Sequence, residues 1–196
     1  MIWGGIIASA FAAPDAFAPC EDLFAFYVEE LRPRPAERPV LWWIEDRIPC
    51  APPAVLTGAQ PPNGRAIGCE DRNKRTGWRT EFGMDGKVML ETHWDRNREI
   101  GPRREWDPIT YEVVRVTELH EGRLDGETIE WLPDGGVLIT NYHRGIRDGA
   151  TWRLDERNNL VLAESWRNDR RHGRSCTWRG DALQVDQVYD DGAPTL

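Results

Sequence analysis

From residue 77 onward, glycines recur along the chain at an almost constant interval. The intervals are 24, 25, 23 and 24 residues, and a large apolar residue follows each glycine at the fifth position. Self-similarity at a fixed period of this length indicates a repeat architecture, in which each unit packs against its neighbours. The glycines are Gly77, Gly101, Gly126, Gly149 and Gly173.

The third unit shows how one period is expected to fold. The run ETIE between Gly126 and Trp131 is typical of a strand, and PDGG, which follows, supplies a tight turn. VLITNY is then the returning strand. Each unit is therefore predicted to be a β-hairpin, and successive hairpins are predicted to add side by side.

Strand alternation divides the side chains of these hairpins between two faces. The first, third and fifth positions after each glycine share a largely apolar face, and the second and fourth positions share a polar one. The fifth-position anchors are Phe82, Trp106, Trp131, Leu154 and Trp178. On the returning strands we expect Leu90, Leu138, Leu162 and Val185 to line up with the anchors, with Arg115 as the exception. A further column lies seven positions before the glycines and contains Trp94, Leu119, Tyr142, Trp166 and, at the end, Tyr189.

The first 19 residues resemble a secretory signal peptide. Ile2 to Ala13 is an uncharged apolar run, which is shorter than the ~20 residues that a membrane-spanning helix needs. It ends in small residues, as a cleavage site does, although no Lys or Arg precedes it. We therefore predict export to the periplasm or beyond and no stable membrane span. The alternative is a cytoplasmic protein whose short N-terminal segment packs on the domain.

Residues 20–68 are predicted to form an extension that precedes the repeat sheet of residues 69–196. Leu23, Phe26, Tyr27 and Leu31 have helical spacing, and the prolines of RPRPAERP end that helix. Val40 to Ile44 is a strand candidate. A Pro/Gly-rich loop then runs from Cys50 to Cys69.

The four cysteines predict two disulfide bonds. Cys50 and Cys69 bracket one loop, so we predict that they pair, which leaves Cys20 to pair with Cys176 and clamp the N-terminal helix over the apolar face. There is no CxxC pair and no His at zinc-site spacing from a Cys, so no structural zinc is expected.

The segments WRNDRRHGRSCTW and YHRGIRDGATWRL resemble the MORN-repeat family, in particular its bacterial, antitoxin-like YwqK-type variant. The Cys-bracketed stretch from Cys50 to Cys69 is similar to an N-terminal extension of some secreted members. The resemblance covers Arg75 to Gly192 and implies a single-layer antiparallel sheet of about five hairpins with a binding or scaffold role. It supplies no catalytic residues. DPITYEVVRV in the second unit and GDALQV in the fifth depart from the expected turn, so longer or irregular hairpins are expected there.

No pattern in the sequence nominates catalysis, a cofactor or a metal. Glu81, Glu105 and Glu130 form a column with ~10 Å between neighbours, so we expect them to pair with Arg79 and Arg103 rather than to act as an acid/base pair. The four histidines form no metal motif, and phosphate-loop and hydrolase motifs are absent. The net charge of -8 disfavours nucleic acid as a partner.

The expectation is a non-enzymatic, exported module that binds another protein. Alternatives are an antitoxin or immunity protein, a structural subunit of an envelope assembly, and an enzyme that uses Glu105 or Glu130. Residues 20–48 are too few to cover five units, so we expect the later units to keep exposed aromatic side chains beside a basic turn, the composition of interface hot spots. The candidate binding residues are Trp152, Trp166, Trp178, Tyr189, Arg167, Arg170 and Arg171.

Overall fold

A computed structural model describes residues 16–20, 41–45 and 49–195 of the chain. The predicted helix around Leu23 to Leu31 and residues 1–15 of the signal-like segment lie outside the described residues. No helix within the described ranges has the length and hydrophobicity that crossing a membrane requires.

The described residues form one helical turn and fourteen strands. The turn, α1, is Trp42–Glu45. The strands are β1 Val55–Ala59, β2 Ala66–Asp71, β3 Lys74–Phe82, β4 Val88–Asp95, β5 Arg98–Glu99, β6 Gly101–Trp106, β7 Val113–His120, β8 Arg123–Trp131, β9 Val137–His143, β10 Ile146–Leu154, β11 Leu160–Arg167, β12 Arg170–Arg179, β13 Ala182–Asp190 and β14 Ala193–Pro194.

All fourteen strands belong to one open antiparallel sheet. Their spatial order follows the chain from β1 to β14, except that the two-residue strand β5 lies off this path and pairs with β4. Along this path each inner strand pairs with the strand that precedes it and the strand that follows it, as expected for hairpins that add side by side. The all-β fold predicted from the glycine period is confirmed.

The recurring glycines lie directly across a strand pair from the column residues. Gly77 pairs with Trp94, Gly101 with Leu119, and Gly126 with Tyr142. Gly126 has φ +117, and the other four glycines of the period also have positive φ values, which residues with a Cβ rarely adopt. The glycines therefore recur because each unit needs the same positive-φ backbone conformation at the position opposite a large side chain.

Cross-strand pairing confirms the positions of the anchors and corrects the returning strands. Trp131 pairs with Val137, whereas Glu130 pairs with Leu138. In the other four units the equivalent partners of the anchors are Val88, Val113, Leu160 and Leu183. The assignment of Leu90, Leu138, Leu162 and Val185 to the anchor face was therefore wrong. In four units the returning strand has one extra residue beside the anchor, which shifts its register by one. In the third unit there is no shift, and Val137 rather than Leu138 lies opposite Trp131. We call the face that carries the anchors the aromatic face and the opposite face the charged face.

The predicted strand Val40–Ile44 is wrong over its described part, which forms helix α1. Its turn brings the indole of Trp42 to the sheet, where Nε1 donates a hydrogen bond of 2.9 Å to the Thr80 hydroxyl. The neighbouring ring of Trp43 meets Phe82 edge to face, with centroids 5.5 Å apart. A strand would point these two adjacent side chains in opposite directions, so helical geometry is what places both on the aromatic face of the first unit.

The Cys50–Cys69 loop contains secondary structure that the sequence analysis did not predict. Strands β1 and β2 form a hairpin inside it, paired from Val55 with Glu70 to Ala59 with Ala66. The disulfide between Cys50 and Cys69 is present, with a sequence separation of 19. It joins the segment before this hairpin to strand β2. Because β2 pairs with β3, the sheet begins at Val55, 22 residues before the first recurring glycine.

The departures in the second and fifth units are turns of different lengths. After Trp106 the chain makes a longer turn, in which Asp107 Oδ1 accepts hydrogen bonds of 2.7 Å from the backbone N–H groups of Ile109 and Thr110. After Arg179 the turn is short, because Arg179 already pairs with Ala182. The first departure is longer, as expected, and the second is a tight hairpin.

The second described N-terminal segment, residues 16–20, lies on the aromatic face at the far end of the sheet. The predicted Cys20–Cys176 disulfide is present, and both cysteines are fully buried. The Ala16 carbonyl accepts a hydrogen bond of 2.7 Å from the Arg174 backbone N–H. A Cβ on Gly173 would collide with that carbonyl, so this glycine is needed for the close approach as well as for its φ of +110.

The aromatic face is buried along all five units, and its anchors have between 1% and 8% of their surface exposed. The prediction that Trp152 and Trp178 keep exposed surface is therefore wrong: they are 7% and 8% exposed. The physical reason is that the N-terminal part of the chain reaches both ends of this face, at Trp42 and at Cys20, rather than the first units alone.

Candidate functional site

The seven candidate binding residues occupy three separate places in the fold. Trp152 and Trp178 are buried on the aromatic face, as described above. Arg167 and Arg170 flank the turn between β11 and β12, where they pair with each other across the strands. Trp166, Arg171 and Tyr189 lie together on the charged face, and this third group is the candidate site.

On the charged face, aromatic and arginine side chains alternate across four adjacent strands. The guanidinium of Arg147 lies 3.6 Å from the ring centroid of Trp166, and that of Arg171 lies 5.8 Å from the same ring. Arg171 also lies 5.2 Å from the ring of Tyr189. Cation–π contacts of this kind hold flat side chains in a defined orientation. We call Arg147, Trp166, Arg171 and Tyr189 the Arg–aromatic stack.

Acidic and polar groups fix both arginines of the stack. Arg171 Nη2 lies 2.8 Å from Glu164 Oε1, a carboxylate that is almost fully buried, and its Nη1 donates to the Tyr189 hydroxyl. The Asp169 carboxylate accepts hydrogen bonds from the backbone N–H and the Nε of Arg147. These two bonds, in that order, lower the pKa of Asp169 below its usual value. The stack is therefore preorganised, which reduces the entropy lost when a partner binds.

The indole N–H of Trp166 is a donor without a hydrogen-bond partner among the groups that the structure describes, although the atom is buried. Leaving a buried donor unmet costs about 1–3 kcal/mol. The indole N–H groups of Trp106 and Trp131 and the Nε of Arg115 are in the same position, so this property is not particular to the stack.

The basic turn Arg167 to Arg174 is neutralised by neighbouring carboxylates. Arg167 and Arg170 both reach Asp191, at 3.7 Å and 3.1 Å. Arg174 Nη1 lies 2.6 Å from Asp186 Oδ1. With Arg171 held by Glu164, every arginine of the turn has an acidic partner, so the turn is not a free cationic patch.

The geometry of the stack repeats in the first unit, and the sequence carries a signal that the sequence analysis missed. Arg75 lies 4.9 Å from the ring centroid of Trp94. Arg75, Arg147 and Arg171 each precede a glycine of the period by two residues. Arginine two positions before the glycine therefore marks the units in which the column aromatic is stacked. Nothing in the sequence indicates the involvement of Glu164.

A ladder of ion pairs occupies the other end of the strands on the charged face. The predicted pairs Arg79–Glu81 and Arg103–Glu105 are confirmed, at 3.1 Å and 3.0 Å. Arg115 bridges Glu105 and Glu130, at 3.5 Å and 3.2 Å. Burial lowers the pKa of Arg115, but the hydrogen bond and charge of Glu130 and the charge of Glu105 outweigh it, so the pKa is raised. The residue that seemed to break the apolar pattern thus joins two carboxylates.

Ionisable groups on the aromatic face are affected mainly by burial. Burial lowers the pKa of His93, and the charge of Asp95 opposes this shift only in part. Burial raises the pKa of Glu118, against the opposing charge of Arg104. Glu91, 6% exposed, is paired with Arg104 at 3.3 Å. These groups are spread over strands β4, β6 and β7.

Within the described ranges, one group of side chains has metal-ligand spacing: Cys20, Cys176 and Asp186. The two cysteines form a disulfide and offer no thiolate, and Asp186 is held by Arg174. The group does not fit a metal ion, because a thiol must be deprotonated and unoxidised to act as a ligand.

The sequence matches no protein-family model and no curated protein. The two disulfides indicate that the protein folds in an oxidising compartment, since such bonds are rare where thiols are kept reduced.

Proposed function

We propose that this chain is an exported, MORN-like repeat protein that binds another protein through the charged face of its sheet and catalyses no reaction. The observation that carries the proposal is the Arg–aromatic stack. It places two arginines, a tryptophan and a tyrosine in fixed orientations on one surface, and these residue types dominate the binding energy of protein interfaces.

The arrangement of the chain supports the choice of face. Both described N-terminal segments contact the aromatic face, at Thr80 and at Cys176. The column residues of the charged face, in contrast, remain half-buried rather than buried. A sheet with one face packed by its own chain and one face carrying ordered aromatic side chains suits a binding module.

Two alternative functions differ from the proposed one in the cellular compartment or in the kind of partner. An antitoxin or immunity protein would bind a toxin, and the net charge of -8 would suit a basic one. A cytosolic antitoxin, however, would not form two disulfides in its own compartment. A structural subunit of an envelope assembly would co-purify with that assembly in fixed stoichiometry.

Affinity capture from the native envelope fraction, compared between variants, tests the proposal. We expect Trp166→Ala with Tyr189→Ala to abolish capture of the proteins that the wild type retains. Arg79→Ala with Glu81→Ala removes a pair on the same face, outside the stack, and is expected to leave capture unchanged. Circular dichroism and disulfide mapping of each variant verify the fold.

Equal capture by the two double variants would contradict the proposal, because the stack would then contribute nothing specific. Turnover of a substrate that disappears on Glu105→Gln or Glu130→Gln would replace it with an enzymatic function.

A further inference from the structure

Among the described strands, six two-residue turns lie side by side at the end of the sheet where the recurring glycines are found. They join β2 to β3, β4 to β5, β7 to β8, β9 to β10, β11 to β12 and β13 to β14. In every one of them both central residues have positive φ, which is the geometry of a type I′ turn. Because successive turns are two strands apart, neighbouring turns are separated by about 10 Å.

Backbone hydrogen bonds hold these turns at fixed positions relative to one another. In each turn after the first, the second central residue donates its backbone N–H to a carbonyl on the strand that follows the preceding turn. The five bonds measure between 2.7 and 3.0 Å, for example from Asn97 to Arg75 and from Gly145 to Leu124. The spacing of the turns is therefore set before any partner binds, which reduces the entropy lost on binding.

The first four turns carry excess positive charge, whereas the last two do not. Counting the two central residues and the pair that closes each turn, the first four contain six Lys or Arg residues and three Asp or Glu residues. The last two contain two and three. The turn at Arg167 and Arg170 is neutralised by Asp191, as described above.

One basic side chain of each of the first four turns is exposed and has no ion pair or side-chain hydrogen bond with the residues that the structure describes. We call these four residues the cation row. They are Lys74, Arg96, Arg123 and Arg144.

The cation row is continuous with aromatic side chains at both of its ends. Arg144 lies three residues before Arg147, the first arginine of the Arg–aromatic stack. At the other end Lys74 is followed by Arg75, which lies 4.9 Å from the ring centroid of Trp94. A partner that contacts the stack therefore meets the cation row as part of the same surface.

The spacing of the cation row matches that of an acidic peptide in the polyproline II conformation. That helix has three residues per turn and rises about 3.1 Å per residue, so every third side chain lies on the same side at intervals of about 9 Å. Nucleic acid fits less well, because its phosphates follow one another about every 3.4 Å along each strand of a duplex. The net charge of -8 also opposes so dense a polyanion.

We infer that the protein bound through the stack carries an acidic segment, with a carboxylate at about every third residue, that lies along the cation row in the polyproline II conformation. The inference rests on the function proposed above, because it describes the partner of that surface. Its contacts are exposed ion pairs, so they should accelerate association and should weaken as salt is added.

Fluorescence anisotropy with two synthetic peptides tests the inference. One peptide consists of four repeats of Glu-Pro-Pro, and the other has the same composition with all its glutamates grouped at one end. We expect the wild type to bind the periodic peptide more tightly at low salt. Replacing the four residues of the cation row with Gln should weaken that binding by about tenfold or more.

The matched control replaces four cations at the opposite ends of the strands with Gln, so that both variants lose the same charge. This variant should bind the periodic peptide as the wild type does, and circular dichroism of both variants verifies the fold. The control positions are Arg65, Lys87, Arg157 and Arg179.

Three results would overturn the inference: no difference between the two peptides, no difference between the wild type and the cation-row variant, or tighter binding of a single-stranded oligonucleotide of equal charge. In the capture experiment the cation-row variant should retain less of the partner than the wild type. If it captures as much, while Trp166→Ala with Tyr189→Ala captures none, the inference is wrong and the proposed function stands. Capture that is unaffected by the stack substitutions, with peptide binding still dependent on the cation row, contradicts the proposed function alone.

Discussion

The two faces of this sheet share one backbone but are stabilised by different interactions. On the aromatic face, anchors such as Trp131 and Leu154 are buried, and parts of the N-terminal chain are attached at both ends. On the charged face, Arg115 and its neighbours form an ion-pair ladder beside the Arg–aromatic stack. The difference teaches that the covered face stabilises the sheet by burial, whereas the other face is held by ion pairs and cation–π contacts that remain partly solvated.

Removal of the Cys20–Cys176 disulfide should have the largest effect, because it holds residues 16–20 against the aromatic face. Its ends are 156 residues apart, so Cys20→Ser with Cys176→Ser should cost about 5 kcal/mol of unfolding free energy by loop entropy. The Cys50–Cys69 disulfide closes a sequence separation of only 19, so Cys50→Ser with Cys69→Ser should cost about 3 kcal/mol. Urea denaturation of both variants measures the difference. A larger loss from the second pair would mean that the N-terminal clamp contributes little.

Truncation of a central anchor should show most directly that the two faces contribute differently to the free energy of unfolding. Trp131→Ala removes a side chain only 7% exposed and should cost about 3–5 kcal/mol. The adjacent Glu130→Ala, on the charged face, should cost about 0–1 kcal/mol, because its ion pair is partly solvated. Equal costs in denaturant titrations would refute the assignment of faces.

The recurring glycines should differ in their tolerance of alanine according to what lies over them. Gly173→Ala places a Cβ against the Ala16 carbonyl and should cost about 2–3 kcal/mol. Gly101→Ala has open space at the Cβ position and only the strain of a positive φ, so about 1 kcal/mol is expected. Thermal and chemical melts compare the two. Identical losses would show that φ alone explains the glycine period.

The ion-pair ladder should contribute little and should depend on salt. Arg115→Met removes the bridge between Glu105 and Glu130 and should cost about 1 kcal/mol at low ionic strength, and less at high salt. Arg157→Met, at a residue whose side chain is 81% exposed, should cost nothing measurable. A loss at Arg115 that is independent of salt would indicate packing rather than charge.

The smallest effect should be a pH dependence that belongs to the aromatic face. Because burial lowers the folded-state pKa of His93, the unfolded chain takes up this proton more readily. Its contribution to stability is therefore present above about pH 6.5 and is lost as the pH falls through the folded-state pKa. His93→Gln should flatten the stability profile across that range. A profile that steepens in the variant would reverse the sign.

The sequence predicted features that depend on local geometry, and it failed where the register of a strand pair mattered. The glycine period predicted the hairpins, the antiparallel order and the anchor positions, because each depends only on local turn geometry and strand alternation. Arg115 was assigned to the wrong face, because the extra residue beside an anchor shifts the register by one and leaves no mark in a composition pattern.

The candidate site was predicted only in part for a related reason. Trp166, Arg171 and Tyr189 do meet on one face, and Arg147, which completes the stack, could have been found from its position two residues before Gly149. Trp152 and Trp178 were included in error because exposure depends on what covers a residue. Glu164, which holds Arg171, comes from a strand whose sequence gives no indication of that contact.

By itself the sequence determined the repeating hairpin, the disulfide partners and the positions of the anchors on one face. These follow from interactions between residues close in the chain, or from elimination among four cysteines. Only the tertiary structure decided that helix α1 places Trp42 on the first unit, that Ala16 meets Gly173 on the last, and that the aromatic face is buried between them. The hydrogen bond between Ala16 and Arg174 joins residues 158 positions apart, and no local pattern encodes a contact between segments so distant in sequence.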